Sequence, residues 1–359
     1  MAEKKARMTE RERVEAILKR EKPDRVPIWS MALGFSTMYT GTAIADVYNK
    51  PETSLAAQRK TSQDFGWVFA PWIVYAGMGG WEFGGEIKWP SGDYAGAPTC
   101  TRLPVQNEDD VWNLKVPDVA TAGIIPIATE FYKLSTKERL DNEPFNAMVI
   151  VGGPFPRAGT VCGPDNLTKW MIKKPDVAKH LLQVVSDFFI ELMKYWKDMF
   201  GIEGVLPFTG HSMESNDLIS PQQFEEFCLP LNKAHFQKIL DMGYKTIFCH
   251  ICGEQNLNLP YWAQIPLGDP GIASIGHEVD ILKASEYMPQ HVILGNVDTT
   301  ILQTGTPDDV YEDCRVRIEK GKQCPSGFIL APGCELPPKA PPENVMAMTR
   351  AVNDFGWYD

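Results

Sequence analysis

The sequence predicts an α/β protein in which repeated strand–helix units close into one (β/α)8 barrel. Short apolar runs alternate with amphipathic helical segments through the last two thirds of the chain, a pattern typical of parallel sheets. At least six such units follow one another without a change in composition. The 359 residues also fit a barrel, because this fold spans about 200 to over 400 residues as one domain. An open doubly wound sheet would produce the same alternation, so the pattern by itself leaves both architectures open.

The N-terminal third, up to about residue 123, is an elaborated and less regular region. A first helix is predicted over residues 9–18, with Thr9 as its cap and an apolar face on the turns that follow. Pro23 and Pro27 end this helix and begin an extended segment through Trp29. From residue 35 to residue 123, glycine, proline and aromatic residues are frequent, and no periodicity predicts a regular element.

The regular part of the chain begins near residue 145. Each predicted strand is a short apolar run, and each predicted helix carries apolar residues at helical spacing. Strands are predicted over 145–151, 202–208, 244–249, 272–275, 291–295 and 328–331, and helices over 175–199, 221–242, 257–263, 281–287, 307–320 and 342–353. The first of these strands is expected to lead into a loop at Gly152–Pro154.

The composition excludes several classes of protein. Lys and Arg total 35 against 46 Asp and Glu, a net charge of −11, which argues against nucleic acids and anionic membranes as partners. The charged N-terminus has no apolar signal-peptide core, and no apolar stretch is long enough to span a membrane, so we expect a cytoplasmic protein. The 8 cysteines are then expected to be thiols or metal ligands rather than disulfides. The glycine-rich runs near residues 77–85 match no nucleotide-binding motif.

One histidine and two cysteines stand where the chain leaves predicted strands. His250 and Cys252 lie just past one strand, and their spacing points both side chains to the same side. Cys334 follows another strand after a Pro332–Gly333 turn. In a barrel both places are at the carboxyl ends of the strands, where active sites lie. A His/Cys/Cys set suits Zn²⁺ and leaves one position open for substrate. An H-x-C pair also arises by chance among 8 cysteines, so packing in the core is the competing interpretation.

Four polar side chains are further candidates for the same pocket. His211, His277 and Asp298 follow predicted strand ends, and each is a candidate pocket residue. Glu214, in the loop after His211, is a candidate fourth zinc ligand or acid–base group. A structural role is the alternative for all four.

His235 and the cysteines other than Cys252 and Cys334 are predicted to be structural. Cys249 should face away from His250 and pack in the core, and His235 lies on the apolar face of its helix. The other cysteines have no partner at ligand spacing, namely Cys100, Cys162, Cys228, Cys314 and Cys324.

Six aromatic residues cluster in the N-terminal third, Trp67, Phe69, Trp72, Tyr75, Trp81 and Trp89. They are compatible with an apolar pocket for a planar ligand and equally with core packing.

Taken together, these residues resemble the uroporphyrinogen decarboxylase superfamily, and within it the corrinoid-dependent methyltransferase branch. The resemblance runs from about Met8 to Asp354 and includes the following segments: Thr9–Val14, Pro23–Pro27, Gly153–Phe155, Asn216–Pro221, Gly295–Asp298 and Phe328–Cys334. It implies a (β/α)8 barrel, which removes the open-sheet alternative. It also implies that His250, Cys252 and Cys334 bind a catalytic zinc, the role that matching residues have in that branch.

The decarboxylase itself is the weaker match. Its hallmark is an N-terminal stretch whose arginines hold the porphyrinogen carboxylates, and the corresponding region here, Trp29–Phe35, contains no arginine. Buried carboxylates without cations would be poorly compensated.

The resemblance implies a methyl transfer between a small substrate and cobalamin. The substrate would be either a thiol that accepts the methyl group or a methyl ether that donates it, and the aromatic N-terminal third favours an O-demethylating enzyme. The chain lacks the D-x-H-x-x-G signature of cobalamin-binding proteins, so the cobalamin is expected on a separate corrinoid carrier protein. The oligomeric state stays open, with a homodimer as the working expectation. A uroporphyrinogen-type lyase and a non-catalytic tetrapyrrole carrier are the alternatives.

Overall fold

The computed structural model describes residues 7–92 and 96–358. Six parallel strands form one sheet in the order β3-β4-β5-β6-β7-β8, and two short antiparallel strands form a separate hairpin. The strands are β1 (Glu86–Lys88), β2 (Thr99–Arg102), β3 (Ala147–Ile150), β4 (Val205–His211), β5 (Phe248–Ile251), β6 (Ile272–Ile275), β7 (Val292–Val297) and β8 (Phe328–Pro332).

Two extended N-terminal segments close the sheet into a ring of eight. Ile28 forms a parallel bridge to Leu330 in β8, and Trp29 forms one to Val68. The segment after Val68 reaches β3, because the Met148 N–H donates to the Pro71 carbonyl over 2.7 Å. The predicted barrel, with its extended segment after Pro27, is confirmed.

Helices surround the barrel, and several short helices lie in the N-terminal third of the chain. They are α1 (Glu10–Leu18), α2 (Leu33–Thr40), α3 (Ile44–Asn49), α4 (Pro51–Phe65), α5 (Glu108–Asn113), α6 (Ile125–Ser135), α7 (Pro154–Cys162), α8 (Pro164–Lys173), α9 (Pro175–Phe200), α10 (Pro221–Gln223), α11 (Leu229–Asp241), α12 (Leu259–Trp262), α13 (Ile281–Tyr287), α14 (Thr299–Thr304), α15 (Pro307–Gly321) and α16 (Pro342–Phe355). Among the described residues, no helix is both long and apolar enough to cross a membrane.

The N-terminal third is more regular than the sequence indicates. Helices α2, α3 and α4 and the β1–β2 hairpin occupy much of the region in which no regular element is predicted. Glycines end helices in this region and so interrupt the periodic spacing of apolar residues. Helix α4, for example, ends at Gly66, whose φ of +67° suits a left-handed cap. The 8 residues of α2 and the 6 residues of α3 give too few periodic positions for a helix to be predicted from the sequence.

The predicted helix over 221–242 forms as one continuous helix, but its hydrogen bonding is not α-helical throughout. A π-helical turn, Phe224–Cys228, joins α10 to α11. Pro230 lies directly after this turn and has no N–H to donate, so the regular bonding pattern breaks there.

Candidate metal centre

The end of β5 positions the first predicted ligand. Phe248 packs inside the barrel against Trp29 and Phe208, with ring centroids 5.2 and 5.5 Å apart. Side chains alternate along a strand, so His250 faces the same interior, directly above this aromatic layer. Cys252 follows one residue after the strand.

The end of β8 brings the third ligand from the other side of the barrel mouth. After Pro332, the Gly333 N–H donates to the Val297 carbonyl over 2.8 Å, which holds the turn against β7. A Cβ atom at Gly333 would lie 2.7 Å from the backbone nitrogen of His277. Only glycine permits this close approach, which aims Cys334 towards His250.

The three side chains form a compact donor set. One ligand atom from each of His250, Cys252 and Cys334 lies within 4.8 Å of the others, and the two sulfur atoms are 3.8 Å apart. In a tetrahedral zinc site with Zn–S bonds of about 2.3 Å, the sulfur–sulfur edge is about 3.8 Å. The sulfur spacing therefore fits zinc without rearrangement.

The histidine is oriented for metal binding by its other nitrogen. Strand register pairs His250 with Ser274 on β6, and its Nδ1 atom lies 3.0 Å from the Ser274 hydroxyl. The Nε2 atom is buried and has no hydrogen-bond partner among the described residues. A buried polar atom without a partner is costly, so a metal ion at Nε2 would satisfy it.

The contact between the two thiols favours ionisation of Cys334. The pKa of Cys334 is lowered to about 3, mainly because the Cys252 side chain hydrogen bonds to it, with a further contribution from His250 that acts against burial. The pKa of Cys252 is raised, because it is the partner that donates to Cys334 and because it is buried. Thiolates are the form that binds metals.

A buried amide network holds the loop that carries Cys252. The Gln255 Nε2 group donates to the Cys252 carbonyl over 3.1 Å. The Gln255 Oε1 atom accepts from Asn258 and Trp262 over 2.9 and 3.0 Å, and Asn258 also donates to the Glu214 carbonyl. Gln255 and Asn258 are fully buried, so this network fixes the loop after β5 against the loop after β4.

His211 and Glu214 lie behind the sheet rather than in the barrel mouth. Strand β4 runs through His211, so this side chain shares the outer face with Thr209 and packs against Phe236 and Trp262. Its Nδ1 atom pairs with Glu214, and both side chains are 0% exposed. Burial is the largest single influence and acts to lower the pKa of His211, but Glu214 and Cys249 together outweigh it and raise the pKa to about 10. This placement favours a positioning role, and the catalytic roles of both residues stay predictions.

His277 and Asp298 do reach the barrel mouth. Asp298 follows β7 and caps α14 by accepting from the Thr300 N–H over 2.7 Å. His277 lies between two carboxylates, with ring nitrogens 3.5 Å from Glu278 and 4.0 Å from Asp298. His277 and Asp298 are partly exposed, and Glu278 is exposed. The structure thus brings the predicted Asp298 and His277 together, and the role of Asp298 in catalysis stays a prediction.

The residues predicted to be structural are largely buried. His235 lies between the Ser186 hydroxyl and the Val151 carbonyl at 2.9 and 2.7 Å, and burial lowers its pKa to about 4. Cys249 is buried on the outer face of β5, next to His211. The other predicted structural cysteines are buried except Cys100, which is partly exposed.

The aromatic cluster forms core rather than an open pocket. Trp67, Phe69, Trp72 and Tyr75 are buried, and Trp72 packs edge-on against Phe208 inside the barrel. This packing gives no support to a planar-ligand site built from these residues.

Sequence reasoning did not find Ser274 or Gln255. Ser274 is significant only through its register opposite His250, and the register between strands cannot be read from either strand alone. The C-G-x-Q spacing after His250 was visible in the sequence, but nothing in it shows that Gln255 turns back to the Cys252 carbonyl.

Comparisons with known proteins agree on the family. A sequence model of the family described as "Uroporphyrinogen decarboxylase (URO-D)" matches residues 9–355. A methylated-thiol–coenzyme M methyltransferase of Methanosarcina mazei is 25% identical over 275 residues, 76% of this chain and 68% of its own. The methylcobamide:CoM methyltransferase MtaA of Methanosarcina barkeri is 26% identical over 267 residues, 72% of each chain.

Two further comparisons extend over nearly the whole chain. A uroporphyrinogen decarboxylase of Anaeromyxobacter is 23% identical over 351 residues, 93% of this chain and 96% of its own. A solved methyltransferase structure from Methanosarcina mazei superposes with a TM-score of 0.80 at 22% identity and covers 97% of this chain and 99% of its own, which establishes the shared fold. The chain therefore belongs to the uroporphyrinogen decarboxylase (URO-D) family and, by its methyltransferase relatives, to the methyltransferase branch of that family.

Proposed function

We propose that this protein is a zinc-dependent methyltransferase that moves a methyl group between a small substrate and the cobalamin of a separate corrinoid protein. The observation that carries the proposal is the donor set of His250, Cys252 and Cys334 at the barrel mouth. The two sulfur atoms have the spacing of a tetrahedral zinc site, and the Nε2 atom of His250 has no hydrogen-bond partner among the described residues.

The ligand set also fits methyl-transfer chemistry. Three protein ligands leave one coordination position for the substrate, and two thiolates neutralise the charge of the dication. A zinc ion bound here would supply Lewis-acid chemistry, lowering the pKa of a thiol or polarising an ether oxygen. The chain's own contribution is to orient His250 through Ser274, to favour the thiolate of Cys334, and to hold the Cys252 loop through Gln255.

The names of the relatives favour a thiol as the methyl acceptor. Two of them are named for methyl transfer to coenzyme M, and one of these also for a methylated thiol. The O-demethylating direction predicted from the aromatic region loses support, because Trp67, Phe69, Trp72 and Tyr75 are buried in the core and the half-buried Trp81 and Trp89 pack against each other. A methyl ether therefore becomes the second substrate class to assay.

A decarboxylase-type lyase is the second candidate function. The match to a uroporphyrinogen decarboxylase over 93% of the chain favours it. Against it stand the metal-type donor set and the buried apolar residues Trp29, Met31, Leu33 and Phe35, which occupy the stretch that matches the decarboxylase's arginines. The single-domain organisation, the cytoplasmic location and the homodimer stay predictions.

The first test is the zinc content of the purified protein, measured by elemental analysis for the wild type and for Cys334→Ser. We expect about one zinc per chain in the wild type and a large loss in the variant. Cys100→Ser is the matched control, because Cys100 is a partly exposed thiol outside the donor set. The second measurement is the loss of methyl groups from free methylcobalamin in the presence of simple thiols, monitored spectroscopically.

Protein that contains no zinc after purification without chelator, and takes up none on addition, would overturn the proposal. Turnover of uroporphyrinogen by that metal-free protein would establish the lyase instead.

A further inference from the structure

The two cysteines at the mouth of the barrel form a pair of thiols in direct contact. Their sulfur atoms lie 3.8 Å apart, although Cys252 and Cys334 are 82 residues apart in the sequence. All 8 cysteines are free thiols, and no other two of them among the described residues hydrogen bond to each other. Two neighbouring thiols can exchange two electrons by forming and breaking a disulfide. The pair therefore offers redox chemistry in addition to metal binding.

The backbone on either side of the pair fixes this contact. Gly253 and Gly333 adjoin the two cysteines in the sequence, and the segment after β6 packs against both of them. A Cβ atom at Gly276 would lie 2.9 Å from the Gly253 carbonyl oxygen, and one at Gly333 would lie 2.7 Å from the His277 nitrogen. Because one segment contacts both cysteine turns, the two sulfur atoms are brought together by backbone packing.

Solvent reaches this pair more readily than it reaches the thiols of the core. Cys252 and Cys334 are partly exposed. Cys100 is also partly exposed, but its thiol donates to the Arg102 carbonyl over 3.2 Å rather than to a second thiol. The other cysteines are buried, namely Cys162, Cys228, Cys249, Cys314 and Cys324. An oxidant that enters the barrel mouth therefore meets a thiol together with the partner that it needs to form a disulfide.

We propose that Cys252 and Cys334 are a redox modification site, at which hydrogen peroxide produces a reversible disulfide that displaces the metal. The peroxide first oxidises one thiol to a sulfenic acid: an S–O bond forms, the O–O bond breaks and one water leaves. The second thiol then attacks this sulfur, so that the S–S bond forms, the S–O bond breaks and a second water leaves. In sum, two thiols lose two electrons and two protons, and the peroxide is reduced to two molecules of water.

The disulfide and a bound metal exclude each other. Thiolates bind metals and disulfide sulfurs do not, so oxidation leaves His250 as the single donor of the set. The sulfur atoms must also approach from 3.8 Å to about 2.0 Å, which removes the spacing that suits zinc. The release of zinc rests on the proposed function, whereas the formation of the disulfide rests only on the contact between the two thiols. Reduction by a dithiol should restore both donors.

The disulfide is located by peptide mapping of the full-length protein, which is first stripped of metal with a chelator and then treated with hydrogen peroxide. Free thiols are alkylated in denaturant, and the protein is digested with trypsin without reduction. The two sulfurs fall in the tryptic peptides 246–283 and 323–339, each of which contains a second cysteine, Cys249 or Cys324. We expect these peptides to be joined through Cys252 and Cys334 in most chains, and to separate after treatment with dithiothreitol.

Four variants assign the disulfide to its two sulfurs. Cys252→Ser and Cys334→Ser should each abolish the cross-link. Cys249→Ser and Cys324→Ser are the matched controls, because they remove the other cysteine of the same peptides and should retain the cross-link. If a variant does not fold, fragment masses of the joined wild-type peptides make the same assignment. A wild type without this cross-link, or one that forms only sulfinic acids on single cysteines, would overturn the inference.

A second measurement separates this inference from the proposed function. Zinc-loaded protein is treated with hydrogen peroxide in the presence of a chromophoric chelator, and we expect about one zinc to be released for each cross-link formed. Cys100→Ser should release zinc in the same way, because Cys100 lies outside the pair. Zinc retained by the cross-linked protein would overturn the displacement of the metal.

The two failures leave different results. Protein that binds zinc but forms no cross-link would refute the redox site and leave the proposed function intact. Protein that forms the cross-link but binds no zinc in its reduced state would support the redox site and refute the proposed function.

Discussion

Replacing Ser274 by alanine should weaken zinc binding without touching a metal ligand. The Ser274 hydroxyl lies 3.0 Å from Nδ1 of His250, and Ser274 is fully buried. Its loss leaves Nδ1 buried without a partner, which costs about 1–3 kcal/mol. Because 1.4 kcal/mol corresponds to about a tenfold change in an equilibrium constant, we expect zinc affinity to fall about 10–100-fold.

The assay is competition for zinc against a chromophoric chelator, with the wild type, Ser274→Ala and Ser274→Thr side by side. The threonine variant retains the hydroxyl and should recover part of the affinity. Ser135→Ala is the matched control, since Ser135 is a buried serine whose hydroxyl donates to the carbonyls of Tyr132 and Asn146 rather than to a histidine. A Ser274→Ala protein that holds zinc as tightly as the wild type would refute the orientation of His250 described above.

Three further predictions concern the supports of the site. Gln255→Ala should lower both the free energy of unfolding, by about 1–3 kcal/mol in urea titrations, and zinc affinity, because the Cys252 carbonyl and buried donors lose their partner. The folded-state pKa of His211 is raised to about 10, above the unfolded value near 6.5. The pairing of His211 with Glu214 therefore stabilises the protein fully below about pH 6.5, and this contribution to the free energy of unfolding is lost as the pH rises to 10. Glu214→Gln should remove that decline in denaturant titrations across this range. Gly153→Ala should lower Tm strongly, since its φ is +109° and the new Cβ would lie 2.3 Å from the Gly210 carbonyl.

Controls for these variants come from the same chain. Gly41→Ala introduces a side chain at a φ of +68° with no atom within 4 Å, so it measures conformational strain without a clash. A Gly153→Ala protein no less stable than Gly41→Ala would contradict the close approach of the segment between β3 and α7 to the Gly210 carbonyl of β4. A Glu214→Gln protein whose stability declines with rising pH as steeply as that of the wild type would contradict the role of the buried His211–Glu214 pair. Unaltered zinc affinity in Gln255→Ala would show that the Cys252 loop keeps its conformation without the Gln255 hydrogen bonds.

Local patterns predicted the alternating strands and helices and the candidate metal-binding pair His250 and Cys252, and the family resemblance selected the closed barrel. Apolar runs locate the buried parallel strands, and the His250–Cys252 spacing places two ligands at the end of one of them. The family resemblance then linked Cys334 to the pair. The strand over 272–275 and the helix over 281–287 have the predicted bounds, since charged or turn-forming residues flank both.

The sequence did not predict which face some side chains occupy. Strand β4 was expected to end at Phe208, which would free His211 to turn into the pocket. Because β4 continues to His211, alternation fixes this side chain on the outer face with Thr209. An error of three residues in a strand end is thus enough to move a histidine from the pocket to the layer between sheet and helices.

The division of the ligands between β5 and β8 has a consequence for the order of synthesis. His250 and Cys252 are translated well before Cys334, and the last strand of the barrel must be in place before the third donor reaches them. A nascent chain therefore offers an incomplete chelate until β8 has left the ribosome and closed on the first extended segment at Ile28. Under the proposed function, zinc capture would mark completion of the barrel, and truncated chains that lack β8 should fail to retain the metal even where their earlier strands have formed.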